Sequence, residues 1–182
     1  ALVSKDEMVK KIEAACLARR DDNFVIIART DALAVEGLDA TLARIRSYVA
    51  AGADMIFPDA VGSEDIISRI VEAAGVPVSI NMGFGIRSRP TTPLMAPDRL
   101  KALGVRRISL PRMLPAAAIM GMKSALTVMR DSLKSGQSVE RPDLVVGIDD
   151  IWSLMGFPAM QALERSLLTT DALEERYGLP SS

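Results

Sequence analysis

The sequence predicts an α/β protein with a parallel sheet, on three observations. Helix-like and strand-like segments alternate through most of the chain. The strand-like runs are short and continuously apolar, as expected of parallel strands covered on both faces. The helices between them stop at glycines, in Ala51-Gly52, Ala74-Gly75 and Leu103-Gly104, each suited to the left-handed position just past a helix end.

Taken in order, Ser4-Lys5-Asp6-Glu7 reads as a capping box opening a helix to about Arg19. Asp21-Asp22-Asn23 breaks it, and the apolar run Phe24 to Ala28 predicts the first strand, ending in Arg29-Thr30-Asp31. A helix from about Leu38 to Ala51 leads to the strand Asp54 to Phe57, ending in Pro58-Asp59. A helix from about Ser63 to Ala74 leads to Val76 to Ile80, ending in Asn81-Met82-Gly83. A further helix, with Pro97 at its first position, ends at Leu103 and leads to Val105 to Leu110, closed by Pro111. Each strand follows its helix within about two residues, as in other α/β units.

A long helix, about Pro115 to Lys134, comes next, carrying an Ala and Met stripe of core type. Past the polar connector Gly136 to Pro142, Asp149 is expected to cap a short helix through Met155, Pro158 to open another toward Leu168, and Thr169 to start the last. The reading divides the chain into 1–136, four αβ units with the long helix, and 137–182, a helical extension.

Such alternation implies parallel strands joined by right-handed crossovers. A doubly wound sheet and a (β/α)₈ barrel both fit. The absence of Gly-x-Gly-x-x-Gly at a strand–helix turn counts against a dinucleotide site. Gly83-Phe84-Gly85 is simply a flexible loop.

Composition narrows the chemistry. Net charge is -1, with 49% apolar and 25% charged residues, an ordinary soluble, cytoplasmic-type balance. It offers no basic surface for nucleic acid. No apolar run nears the roughly 18 residues of a membrane span, and Ala1 to Lys11 lacks signal-peptide character. Histidine is absent and Cys16 is the only cysteine. His-based triads, His–metal sites and an internal disulfide are therefore excluded, and Cys16 reads as a small core residue on a helix.

In parallel α/β folds functional groups gather at the C-terminal ends of strands. Those ends present Arg29, Thr30 and Asp31, then Asp59, then Asn81, then Pro111 and Arg112. Arginine offers a planar fork to carboxylate or phosphate, asparagine an uncharged donor to an enolate-like oxygen, and Asp59 a carboxylate for a metal-bound water or a proton. Together they suit a small, highly anionic substrate. Bland roles fit the same residues: Arg29 and Asp31 a strand-end pair, Asp59 a carboxylate at a helix N-terminus, Asn81 a turn residue, Arg112 a structural residue, and Arg87 and Arg89 solvated loop charges.

The string Phe24-Val25-Ile26-Ile27-Ala28-Arg29-Thr30-Asp31-Ala32, with Glu36-Gly37-Leu38 and then Ala51-Gly52-Ala53-Asp54-Met55-Ile56-Phe57-Pro58-Asp59-Ala60, resembles the isocitrate lyase / phosphoenolpyruvate mutase superfamily. The nearest branch holds 2-methylisocitrate lyase, dimethylmalate lyase, oxaloacetate hydrolase and the phosphonomutases. The resemblance runs to about Gly136. It implies the C-terminal half of an (α/β)₈ TIM-type barrel, strands five to eight, plus C-terminal helices exchanged between subunits of a homo-oligomer, a dimer or tetramer. It also implies Mg²⁺, a carboxylic acid substrate and a pyruvate-enolate-like intermediate. By position, Arg29 matches the family arginine on the substrate carboxylate and enolate oxygen, Asp59 a glutamate near metal and substrate, and Asn81 the substrate-binding asparagine.

Three departures shape the expectation. The half carrying the Mg²⁺-binding aspartates and the Lys-Lys-Cys-Gly-His lid is missing, and Cys16 stands in the wrong context to be the lid cysteine. Asp59 is one methylene shorter than the common glutamate. The arginines that read additional carboxylates fall on Ala116 and Ile148, which favours a di-acid or keto acid over a tricarboxylate. The resulting expectation is part of a Mg²⁺-dependent C–C lyase for a small 2-oxo or 2-hydroxy di-acid, inactive as this fragment alone. Direct metal ligands are expected outside the chain, with Asp59 acting through water. C–P chemistry, as in a phosphonomutase or phosphonate hydrolase, and a non-catalytic half-barrel are the alternatives.

Overall fold

The computed structural model describes residues 2–83 and 92–178; Phe84, Gly85, Arg87 and Arg89 lie outside them. The order is α1 (Lys5–Ala18), β1 (Ile27–Thr30), α2 (Leu33–Ala50), β2 (Met55–Pro58), α3 (Glu64–Ala74), β3 (Val78–Asn81), α4 (Pro97–Ala102), β4 (Val105–Ser109), α5 (Met113–Ser135), α6 (Ile148–Leu154), α7 (Phe157–Leu167) and α8 (Thr170–Tyr177). Two compact units are present, residues 1–117 and 118–182, so their boundary falls within α5.

In the first unit the four strands form one parallel sheet in the order β1-β2-β3-β4. A doubly wound fold needs a reversal of strand order, and this sheet has none. Consecutive order with crossovers of one hand puts the helices on one side of the sheet. Burial along the strands agrees. Ala28, Thr30, Ile56 and Pro58 are buried, and Ala28 and Ile56 join Ile45 and Tyr48 of α2, Ile67 and Ile70 of α3 and Leu100 of α4 in one core. Ile27 and Arg29, between them on β1, are exposed. The expectation of strands buried on both faces is thus corrected for β1, which has one covered face and one open face. Each buried Ile or Leu contributes about 1.5–3 kcal/mol, so the helix-side layer holds this sheet together.

Local signals act as the sequence suggests at most helix ends. Ser4 Oγ accepts from Glu7 N at 3.1 Å, although the Glu7 carboxylate turns to Lys11 Nζ at 2.6 Å. Ser63 caps α3, Thr169 caps α8, and Pro97 stands in the first turn of α4. Helix α2 starts earlier than expected, at Leu33, and is broken at Gly37, whose φ of 80° is the left-handed region. Helix α6 is capped by Gly147, with Asp149 and Asp150 inside its first turn, which corrects Asp149 as the cap.

The first strand is displaced toward its C-terminus: Phe24 and Val25 are exposed and the ladder starts at Ile27. The Asp54 side chain explains this. Its Oδ2 accepts from Ile26 N at 2.8 Å and from Arg19 Nη1 at 2.7 Å, closing the edge just before the first Ile27–Met55 pair. A carboxylate contacting backbone and guanidinium carries no hydrophobic period, so the pattern of apolar residues could not reveal it.

In the second unit the rings of Trp152 and Phe157 lie 5.4 Å apart with their planes inclined by 46°, and the Tyr177 hydroxyl donates to Glu164. None of the described side chains of α5 to α8 is buried, while Leu154, Met155, Leu163 and Leu167 are exposed. No helix is long and apolar enough to cross a membrane, among the described residues.

Candidate active site

The sheet register lines side chains into two rows on the open face. Arg29 pairs with Phe57, Ile56 with Val78, and Ser79 with Arg107, giving the row Arg29, Phe57, Ser79, Arg107. One step toward the C-terminal strand ends stand Asp31, Asp59, Asn81 and Ser109. Alternation in a strand puts residues i and i+2 on one face, so both rows look away from the helices.

Arg29 is the centre. Its Nε donates to Asp31 Oδ2 at 3.1 Å and its Nη2 to Asp31 Oδ1 at 2.7 Å. The same Nη2 lies 3.2 Å from Asp59 Oδ2. The guanidinium carbon stands 5.1 Å from the centroid of the Phe57 ring, within cation–π range. From Asp59 the line continues: Asn81 Nδ2 donates to Asp59 Oδ1 at 3.4 Å, and Ser109 Oγ donates to Asn81 Oδ1 at 3.0 Å. In the lower row Arg107 Nη1 donates to Ser79 Oγ at 2.9 Å.

These contacts set the charge states. Hydrogen bonds from Arg29 hold the Asp31 carboxyl below the usual carboxylate range, against its partial desolvation. The reciprocal bonds raise the Arg29 guanidinium above its ordinary value, against burial and with the help of the Asp59 charge. Arg29 is therefore a fixed cation, pinned along one edge and seated on an aromatic ring. Such a group is a preorganised donor for an anionic oxygen.

Arg29, Asp59 and Asn81 come together, and Arg29–Asp31 is also the strand-end pair the sequence allowed. Asp59 is not a helix N-terminal carboxylate: α3 starts at Glu64 behind the Ser63 cap, and Asp59 N instead donates to Thr30 O at 2.9 Å. Arg112 stays apart, exposed at the foot of α5 with φ 69°, and makes no hydrogen bond or ion pair with the rows. Cys16 is half-buried on α1 against Gly52, as a helix core residue would be. Ser109, Phe57, Ser79 and Arg107 were missed. Alternation could have flagged Ser109 and Phe57, each two residues from a rim position.

The segment after β1 is fastened from behind. Arg44, nearly buried on α2, donates to both carboxylate oxygens of Glu36 at 2.7 Å, to Val3 O at 3.1 Å and to Tyr48 Oη at 3.2 Å. Glu36 N donates to Ala32 O at 2.7 Å and Ala32 N to Thr30 Oγ1 at 3.2 Å. A continuous line of hydrogen bonds thus joins the helix layer to the strand end bearing Arg29 and Asp31.

For Mg²⁺ the residues present do not fit. No group of three or more His, Cys, Asp or Glu side chains could hold a metal ion, among the described residues. Asp31 and Asp59 both turn to the Arg29 guanidinium, which offsets one of their two charges.

The phosphoenolpyruvate phosphomutase family model matches residues 1–130. The chain belongs to that family. It is 45% identical over 131 residues to 2-methylisocitrate lyase of Salmonella typhimurium, covering 71% of this chain and 43% of the relative. Among solved structures it resembles 2,3-dimethylmalate lyase, described as a PEP mutase/isocitrate lyase superfamily member, with TM-score 0.73 and 26% identity over 91% of this chain and 56% of that one. It also resembles oxaloacetate acetylhydrolase in complex with the product oxalate, with TM-score 0.77 and 26% identity over 91% of this chain and 55% of that one. The chain spans about half the length of the proteins it matches.

Proposed function

We propose that this chain is the C-terminal half of an (α/β)₈ barrel, strands five to eight, of a C–C bond lyase for a small 2-oxo or 2-hydroxy di-acid. The observation that carries the reading is the line Asp31, Arg29, Asp59, Asn81, Ser109 across four consecutive strand ends. Cleavage of a C–C bond next to a carbonyl leaves its electrons on an enolate oxygen. Arg29 and the Asn81 amide are the two donors placed to hold that oxygen, and Asp59 between them is placed to accept or return a proton. Consecutive strand order, helices on one side and a polar row on the other support the half-barrel.

In this reading Mg²⁺ belongs to the whole protein and its direct ligands lie outside this chain, so no step is assigned to it here. The fragment alone is inactive, and helices α5 to α8, which leave apolar side chains such as Leu133, Leu154, Leu163 and Leu167 exposed, are exchanged between subunits of a cytoplasmic homo-oligomer. The substrate is a small carboxylic acid, with no nucleic acid or membrane partner.

The test starts with the intact mass of the native protein against the 19.6 kDa of this chain. The native protein is then assayed with Mg²⁺ on a panel of 2-oxo and 2-hydroxy di-acids. Arg29→Ala and Asn81→Ala should each lower turnover by about 10²- to 10³-fold, the effect of deleting one oxyanion donor. Turnover that survives Arg29→Ala refutes the reading. Turnover of phosphonates instead of di-acids favours C–P chemistry, consistent with the phosphomutase family model.

A further inference from the structure

We infer that Arg107 reads the second carboxylate of the substrate. The inference rests on the reading above that Arg29 holds the first one.

Three observations lead to it. The first is place. The register slips between Val78 and Ser79, so that Val105 pairs with Val78 but Arg107 with Ser79. The extra residue, Arg106, stands with Pro97, Asp98 and Lys101 of α4 on the helix side. Arg107 is thereby turned onto the open face, level with Arg29, whose guanidinium already reaches the strand-end row from that level. A second arginine of equal length on the same level has the same reach.

The second observation is charge. One guanidinium stands against two carboxylates in the Arg29, Asp31, Asp59 cluster. That cluster carries excess negative charge and would repel a di-anion unless another cation lies close. Arg107 is the only other cation that the strands place on this face, among the described residues.

The third is its partner. Arg107 is exposed and its Nη1 donates to the neutral hydroxyl of the fully buried Ser79. Among the described residues it makes no ion pair, while Arg29 and Arg44 each hold a carboxylate. Ser79 fixes one edge of the guanidinium and leaves the rest of the fork for a planar anion. Ser109, directly above on the same strand, carries the line back through Asn81 to Arg29. A di-acid lying along that line has one carboxylate at Arg29 and the other over Arg107.

The experiment measures equilibrium binding by calorimetry to the native protein, using malonate as the di-acid probe and pyruvate as the mono-acid probe. Arg107→Gln keeps a donor to Ser79 and removes the charge. It should weaken malonate by about 10- to 100-fold, the range of a charge-assisted hydrogen bond, and change pyruvate by less than about twofold. Arg107→Lys should restore part of the malonate affinity. Arg29→Ala should weaken both acids. Equal weakening of both acids by Arg107→Gln would make Arg107 a structural residue and overturn the inference. So would unchanged malonate binding, and if Arg29→Ala still weakens both acids the reading of the site survives. If Arg29→Ala changes neither acid, the site reading fails and this inference falls with it.

Discussion

Replacing Gly52 by alanine tests how α1 and α2 are spaced, and the structure gives both halves of the expected cost. Gly52 follows α2 with φ 103°, a backbone an L-residue adopts at about 1–2 kcal/mol. A Cβ built there would lie 2.8 Å from Cys16 Sγ. That sulfur sits 3.6 Å from Ala51 O and 3.3 Å from Gly52 O, so it cannot move aside without leaving both. Overpacking of this kind costs about 1–3 kcal/mol, and Gly52→Ala should lose about 2–5 kcal/mol in all. In a Cys16→Ala background only the backbone part remains, so the two substitutions should couple by about 1–3 kcal/mol. Urea unfolding of the wild type, both single variants and the double variant, followed by circular dichroism, measures this. A cost of Gly52→Ala that is equal in both backgrounds would refute the steric argument. A cost under about 0.5 kcal/mol would refute the backbone argument too.

Other outcomes follow from the same contacts. Arg44→Met strands Glu36 and the Val3 carbonyl and should destabilise by about 2–4 kcal/mol; a midpoint unchanged in urea would show that the pair is dispensable. Asp31 and Glu64 are held below their ordinary values, first by hydrogen bonds from Arg29 and Arg99. Their contribution is therefore complete above the ordinary carboxylate range and lost as pH falls below about 4. Stability measured from pH 6 to pH 3 should fall less steeply in Arg99→Met than in the wild type, and equal slopes would contradict that assignment. Ser109→Ala frees the Asn81 amide to rotate and should weaken di-acid binding by about 3- to 10-fold; calorimetry on the native protein would show it, and unchanged affinity would mean that Ser109 does not position the amide.

Much of this protein is local and therefore written in its sequence. The caps at Ser4, Ser63 and Thr169 and the glycines after α2, α3 and α4 act within a few residues, so the element order could be read directly. Arg29, Asp59 and Asn81 were legible because a strand end in a parallel fold is a place as well as a residue. What distant segments decide was not legible. The start of β1 depends on Asp54 reaching across to Ile26, and the open face of β1 on helices that cover one side alone. The fork of Arg29 onto Asp31 and Asp59 depends on how two strand ends meet. Above all, the side on which Arg107 stands is set by a one-residue slip between β3 and β4. A slip of one residue reverses every facing side chain, and hydrophobic periodicity within a single strand contains no record of its neighbour's register.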